Sequence, residues 1–186
     1  MFKAQRLGAG LLAVALAMTV SIAPRPAIAA SAAEINRDVN AALASMYASV
    51  PSTRQLAGQA KAVLVFPSIV KAGFIFGAQY GEGALRKGGK TVGYYNSAAA
   101  SYGLQAGVQV FGYALFFMSD SALNYLNTSG GFELGVGPSI VVLDAGAAKA
   151  LTTSTIQHDI YGVFFDQAGL MAGLGLQGSK ISRMNK

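Results

Sequence analysis

Gly73-Phe74-Ile75-Phe76-Gly77-Ala78 is one of four places where the chain repeats a single pattern: glycine, an apolar residue, two variable residues, glycine, an apolar residue. The others are Gly103-Leu-Gln-Ala-Gly107-Val, Gly131-Phe-Glu-Leu-Gly135-Val and Gly169-Leu-Met-Ala-Gly173-Leu. In a helix this spacing lets two backbones approach, as in membrane helix pairs. The flanking Gln79, Glu82, Gln105, Gln109, Glu133 and Asp144 make poor membrane helices of these segments. In a strand, residues four apart share a face, and glycine there permits strong curvature or the close crossing of a neighbour. The pattern therefore predicts a tightly coiled antiparallel sheet, twisted or barrel-like, with one face lined by glycine. The copies are unevenly spaced, so the chain is not a solenoid.

The segments around these glycines agree with a sheet. Val63-Leu64-Val65-Phe66 reads as a short strand stopped by Pro67, and later runs rich in Val, Ile, Phe and Tyr are separated by Gly, Asn and Ser. Arg86-Lys87-Gly88-Gly89-Lys90 reads as a hairpin turn, since Gly-Gly supplies the positive φ angles such turns need. Ser119-Asp120 with Ala122, Leu123, Tyr125 and Leu126 predicts a short capped helix, and Ala145–Ala150 a helical turn. Upstream, Ile35, Val39, Leu43 and Tyr47 recur at four-residue intervals from Ser31 to Gln59, with Pro51 as a break. Ser31 and Glu34 suit a capping box. The expected fold class is α+β: a curled antiparallel sheet, an N-terminal helix and one or two short helices.

The first residues read as a secretory leader. Lys3 and Arg6 precede an apolar run from Leu7 to Ala23, then Pro24-Arg25-Pro26 and Ala27-Ile28-Ala29. A charged start, an apolar middle and a small-x-small end make a cleavable signal peptide, so residues 1–29 are expected to be removed and 30–186 to form one domain. Cleavage would take three of the fourteen cations and none of the eight acids, which leaves a net charge of +3. The chain has no cysteine. That excludes disulfides, thiolate metal sites, a cysteine nucleophile and an acyl-cysteine anchor. The expected location is periplasmic or secreted.

Catalytic chemistry is sparse. His158 is the single histidine, and beside Asp159 it makes only a weak case for a hydrolase. No H-E-x-x-H, P-loop or G-x-S-x-G motif occurs, and no calcium loop. The aromatics Phe74, Phe76, Phe111, Phe116, Phe117, Phe164 and Phe165 lie in apolar runs and are expected in the core. They are not interleaved with cations as nucleic-acid binding would require. No enzyme activity, cofactor, metal or nucleic-acid partner is expected. What stands out is cationic: Arg86, Lys87 and Lys90 about the Gly-Gly turn, Lys61 and Lys71 bracketing Val63–Val70, and Lys180, Arg183 and Lys186 at the end. If the hairpin tip lies beside the terminus, these form one site for anionic headgroups. A solvated tip and a solvated chain end explain the same charges.

Four blocks, in order, resemble the SYLF, or Ysc84-type, domain. They are Ala60-Lys61-Ala-Val-Leu-Val-Phe66-Pro67 running into Lys71-Ala-Gly73-Phe-Ile-Phe-Gly77, then Ala100-Ser-Tyr-Gly103-Leu-Gln-Ala-Gly107-Val-Gln, Gly135-Val-Gly137-Pro138, and Gly169-Leu-Met-Ala-Gly173-Leu-Gly-Leu-Gln-Gly178-Ser. The resemblance runs from about Ala33 to Lys186 and implies lipid binding. The family includes bacterial secreted proteins and eukaryotic proteins of actin patches and endosomes, some of which bind phosphoinositides and actin. Neither of those ligands is expected outside a bacterial inner membrane, so the transferable part is association with an anionic phospholipid surface. A protein partner in the cell envelope stays open. Two departures matter: the family's Trp and Pro are missing from Gly93-Tyr94-Tyr95-Asn96-Ser97, and its amphipathic N-terminal segment is replaced here by the leader. The lipid-binding residues are thus expected on the domain itself, as Lys61, Lys71, Arg86, Lys87, Lys90, Lys180 and Arg183. The alternative reading is an outer-membrane β-barrel or an envelope structural protein. Against the barrel, the run from Val110 to Met118 blurs in–out alternation.

Overall fold

A computed structural model describes residues 29–102, 107–128, 132–134, 137–143, 156–169 and 178–186. The expected leader, the expected helical turn at Ala145–Ala150 and the glycines at 103, 131, 135 and 173 lie outside these residues.

Helix α1 (Ala32–Ser49) starts where the sequence says it should. The Ser31 hydroxyl accepts the Glu34 N–H, and the Glu34 carboxylate accepts the Ser31 N–H at 2.7 Å. Those bonds to Ser31 hold the Glu34 carboxyl below its ordinary range. Ile35, Val39, Ala42 and Met46 form its buried stripe. A turn at Pro51 leads into α2 (Thr53–Gln59).

The strands are β1 (Ala62–Gly73), β2 (Phe76–Lys87), β3 (Lys90–Tyr102), β4 (Gly107–Phe117), β5 (Phe132–Glu133), β6 (Ile140–Leu143), β7 (Ile160–Gly169) and β8 (Lys180–Met184), with α3 (Asp120–Asn127) after β4. They form one sheet in the order β5-β8-β3-β2-β1-β4-β7-β6. The fold is α+β with a strongly curled, half-barrel sheet. All pairs are antiparallel except β6 and β7, which run parallel at one edge.

The curl is visible in side chains that a flat sheet would separate. Phe132 of β5 and Phe117 of β4 are five strand steps apart, about 24 Å in a flat sheet. Their ring centroids lie 6.4 Å apart. The Tyr113 hydroxyl of β4 donates to Ser97 Oγ of β3 across two intervening strands at 2.7 Å. Burial pushes the Tyr113 phenol far above its ordinary range, so it remains a donor. The concave face packs Leu64, Phe66, Phe111, Tyr113, Leu115 and Phe117 against Leu123 and Leu126 of α3. The opposite face packs Val63, Val65, Ala114 and Phe116 against α1 and α2. Two covered faces explain the unbroken apolar run of β4, because a strand buried on both sides has no polar alternation.

Three expectations change. Pro67 does not stop β1. The strand continues to Gly73, and its pairing with β4 shifts register between Phe66 and Ile69. Proline lacks a ladder donor, and a bulge is where a central strand accommodates it. Second, Gly73 and Gly77 do not share a face of one strand. They oppose each other across the β1–β2 hairpin. Third, this hairpin makes Phe74 and Phe76 tip residues, 69% and 75% exposed, where the sequence reading had put them in the core.

Glycine is required sterically where β2 crosses the β1 bulge. A Cβ on Gly83 would lie 2.2 Å from the Val65 carbonyl oxygen, and one on Gly81 2.3 Å from that of Ser68. At the other hairpin, Gly88 and Gly89 have φ of +57° and +77°, as a two-residue primed turn demands.

Candidate functional site

The sheet has two unlike ends. One gathers the β2–β3 turn, the start of β1, the ends of β4 and β8 and the start of β7. The other gathers the β1–β2 tip, the start of β4, the end of β7 and the end of β3.

At the first end the predicted cations disperse into separate roles. Arg86 donates to Thr91 Oγ1 at 2.7 Å and to Asn40 of α1, while Thr91 donates to Asn36 at 2.6 Å. Arg86 thus fastens the hairpin base to α1. Lys61 lies 3.8 Å from Asp120 in an exposed pair of little energetic weight. Lys87 and Lys90 oppose each other at the exposed tip. Arg183, exposed, pairs with Tyr95 in the β3–β8 ladder. A cleft of about 520 Å³ lies between Thr91–Tyr94 and Arg183–Lys186. The hairpin does lie beside the chain terminus, as one sequence reading required. Lys186, however, reaches away to Glu82 at 3.4 Å and to the Ala30 carbonyl.

Lys71 and Lys180 lie toward the second end, so the seven predicted residues do not converge on one patch. Lys180 is exposed and paired in register with Glu133. Lys71 is only 9% exposed. Its direct cross-strand neighbours are Gln79 of β2 and Gln109 of β4, each 6% exposed. Residues directly opposite on paired strands share a face, so a lysine stands between two glutamines in one row. The row is on the concave side: Gln79 Nε2 donates to Ser179 Oγ at 2.7 Å, past β3. Gln109 Oε1 is buried without a hydrogen-bond partner.

Layers of the concave face can then be read along the strands. Ile69, Phe111 and Tyr113 lie on the core side of the row. On the outer side, two residues on, Gly77, Gly73 and Gly107 pair as a row without side chains. A Cβ at Gly73 would meet the Gly77 Cα at 2.5 Å. A glycine-lined rim does exist, but adjacent strands assemble it. A buried lysine and two buried amides supply N–H donors and a carbonyl acceptor just inside that rim, which is chemistry for a hydroxylated oxyanion. The glutamines were passed over in the sequence because each looks like a lone polar residue. Only register puts them opposite Lys71.

The Asp159–His158 pair is differently employed. The Asp159 carboxylate accepts from Ser119 Oγ at 2.9 Å and from Ser139 Oγ at 3.0 Å. These bonds hold its carboxyl below the ordinary range and tie the α3 cap to the entries of β6 and β7. The His158 ring packs edge-on to Tyr161.

No curated protein matches this chain. Residues 98–186 match the model of a family described as Ysc84, a Las17-binding protein and actin regulator. The two strands upstream of the match, β1 and β2, lie in the sheet between the matched β3 and β4, and Lys71 is among their residues. The span from Ala98 in β3 to Lys186 thus matches a Ysc84-type (SYLF) domain.

Proposed function

We propose that this protein is a secreted or periplasmic, non-catalytic module that binds anionic phospholipid, with the Gln79–Lys71–Gln109 row as its headgroup site. The observation that carries the reading is Lys71: a cation nine-tenths buried on the concave face, two residues inside the glycine row, between two glutamines. Lysine is seldom buried this deeply, and an ammonium flanked by amides suits a phosphate oxygen and its neighbouring hydroxyls. The Ysc84-type domain and the expected net charge of +3 after cleavage support it. No helix among the described residues is long and apolar enough to cross a membrane, which fits association with a surface. Against an outer-membrane barrel, α1 and α2 cover the convex face over Val63, Val65, Ala114 and Phe116, where a barrel would meet lipid. Protein binding, which the family description also names, is compatible with this reading.

Flotation with vesicles tests it. The protein should float with phosphatidylglycerol vesicles and not with phosphatidylcholine vesicles, and added salt should weaken but not abolish the preference. Lys71→Met, which keeps the apolar stem and removes the charge, should erase the preference. Equal flotation with both lipids would refute the proposal. Sequencing the N-terminus of protein recovered from its producing cells should read from Ala30; a chain still beginning at Met1 would refute the secreted assignment.

A further inference from the structure

Among the described residues, seven of the nine exposed large apolar side chains lie at one end of the sheet: Val70, Phe74, Ile75, Phe76, Tyr80, Val108 and Val110. Register arranges them. Tyr80, Val70 and Val110 form one row, Ala78, Ala72 and Val108 the next, and the Phe74–Phe76 tip lies beyond. Among the described residues nearest this end, 72–81, 98–102, 107–113, 167–169 and 178–179, there is no Asp, Glu, Lys, Arg or His. We propose that Phe74, Ile75 and Phe76 form a membrane-penetrating tip that enters the acyl-chain margin of a phospholipid bilayer. This deepens the lipid-binding reading and rests on it for the nature of the apolar phase.

Three features select a bilayer over another protein surface. The tip is a three-residue turn, Phe74-Ile75-Phe76, closed by the Gly73–Gly77 pairing. Its Phe side chains are 69% and 75% exposed, and isolated apolar patches of this kind mark interaction sites. Tyr80 marks a boundary: its ring is half exposed, while its hydroxyl donates to Glu82, two residues farther from the tip, at 2.9 Å. An aromatic ring with its polar end turned from the apolar side is the arrangement of interfacial tyrosines. Lys71 lies two residues, about 7 Å, behind the glycine row. With the tip at acyl depth, that places the ammonium at the level of phosphates, consistent with an interfacial element buried about 5–10 Å.

The chain has no cysteine, so a single introduced thiol gives one labelling site. Protein recovered from its producing cells would carry Ile75→Cys or Lys90→Cys, each with an environment-sensitive fluorophore, and be mixed with phosphatidylglycerol vesicles containing acyl-chain quenchers. The label at position 75 should shift blue and be quenched, and the label at position 90 should do neither. Phe74→Ser with Phe76→Ser should weaken vesicle binding at least tenfold and leave the melting temperature unchanged. Flotation without quenching at position 75 overturns the tip and leaves the lipid-binding reading standing. Quenching at position 90 instead reverses the orientation and overturns it. Absence of any vesicle binding overturns both. A concentration-dependent dimer abolished by the double Ser variant, without vesicle binding, assigns the tip to a second copy and also overturns it.

Discussion

The two ends of this sheet are made of the same strands and differ in what closes them. At the β2–β3 end the turn is Gly88-Gly89 between Lys87 and Lys90, and the surrounding groups are charged or hydrogen-bonded: Arg86 to α1, Lys61 to Asp120, Asp159 to Ser119 and Ser139. At the β1–β2 end the tip is Phe74-Ile75-Phe76 between two glycines, with Lys71 as the cation nearest it. The comparison teaches that net charge alone does not locate a lipid site. Cations at the first end are solvated or engaged in fastening elements together. At the second end Lys180 is exposed as well, but Lys71 is held just inside the glycine row, where an electrostatic contact is less screened.

The largest expected effect tests what keeps the ends distinct. Gly83→Ala drives a methyl into the Val65 carbonyl and should destabilise the protein by about 3 kcal/mol, read as a lowered urea midpoint. Gly58→Ala, in α2 with open space around it, should stabilise by about 0.5 kcal/mol. If the two behave alike, the close crossing is not what shapes the sheet.

Next is the comparison itself. Lys71→Met should lower affinity for phosphatidylglycerol vesicles at least fivefold, whereas Lys87→Met with Lys90→Met should lower it about twofold through loss of long-range attraction. The opposite ranking would move the site to the first end.

Arg86→Ala should cost about 1 kcal/mol through its lost bonds to Asn40 and Thr91, and leave lipid affinity unchanged. A variant that keeps its stability but loses lipid binding would give Arg86 a direct role.

The smallest effect is a pH dependence at the first end. The Asp159 carboxyl is depressed by its serine hydrogen bonds. Its contribution to stability is therefore complete above the ordinary carboxylate value near pH 4, and is lost as pH falls through the lower folded value. Asp159→Asn should melt a few degrees below the parent at pH 7, and the gap should close below about pH 4. A gap that persists in acid would mean the carboxylate charge is not what the serines hold.

Elements set by short-range rules were legible in the sequence. The capping box at Ser31 and Glu34, the α1 stripe, the break at Pro51, the Gly88-Gly89 turn and the Ser119 cap depend on residues within a turn or two of one another, and all appear where expected. The curl was expected too, from the paired-glycine pattern, although Gly73 and Gly77 face each other across a hairpin and not along one strand. Pro67 misled because its local preference is to end a strand, and only the shifted β1–β4 register shows how a central strand absorbs it. Phe74 and Phe76 misled because an apolar run looks the same in a core strand and at a hairpin tip.

Alone, the sequence determined the α+β class, the helix boundaries and the curled sheet, because capping, periodicity and glycine-rich strand composition act over a few residues. Tertiary structure decided which cation is buried, what stands beside it and which apolar residues face outward. Those depend on strand register, and register joins Lys71 to Gln79 and Gln109 through cross-strand hydrogen bonds between residues that are far apart in the chain.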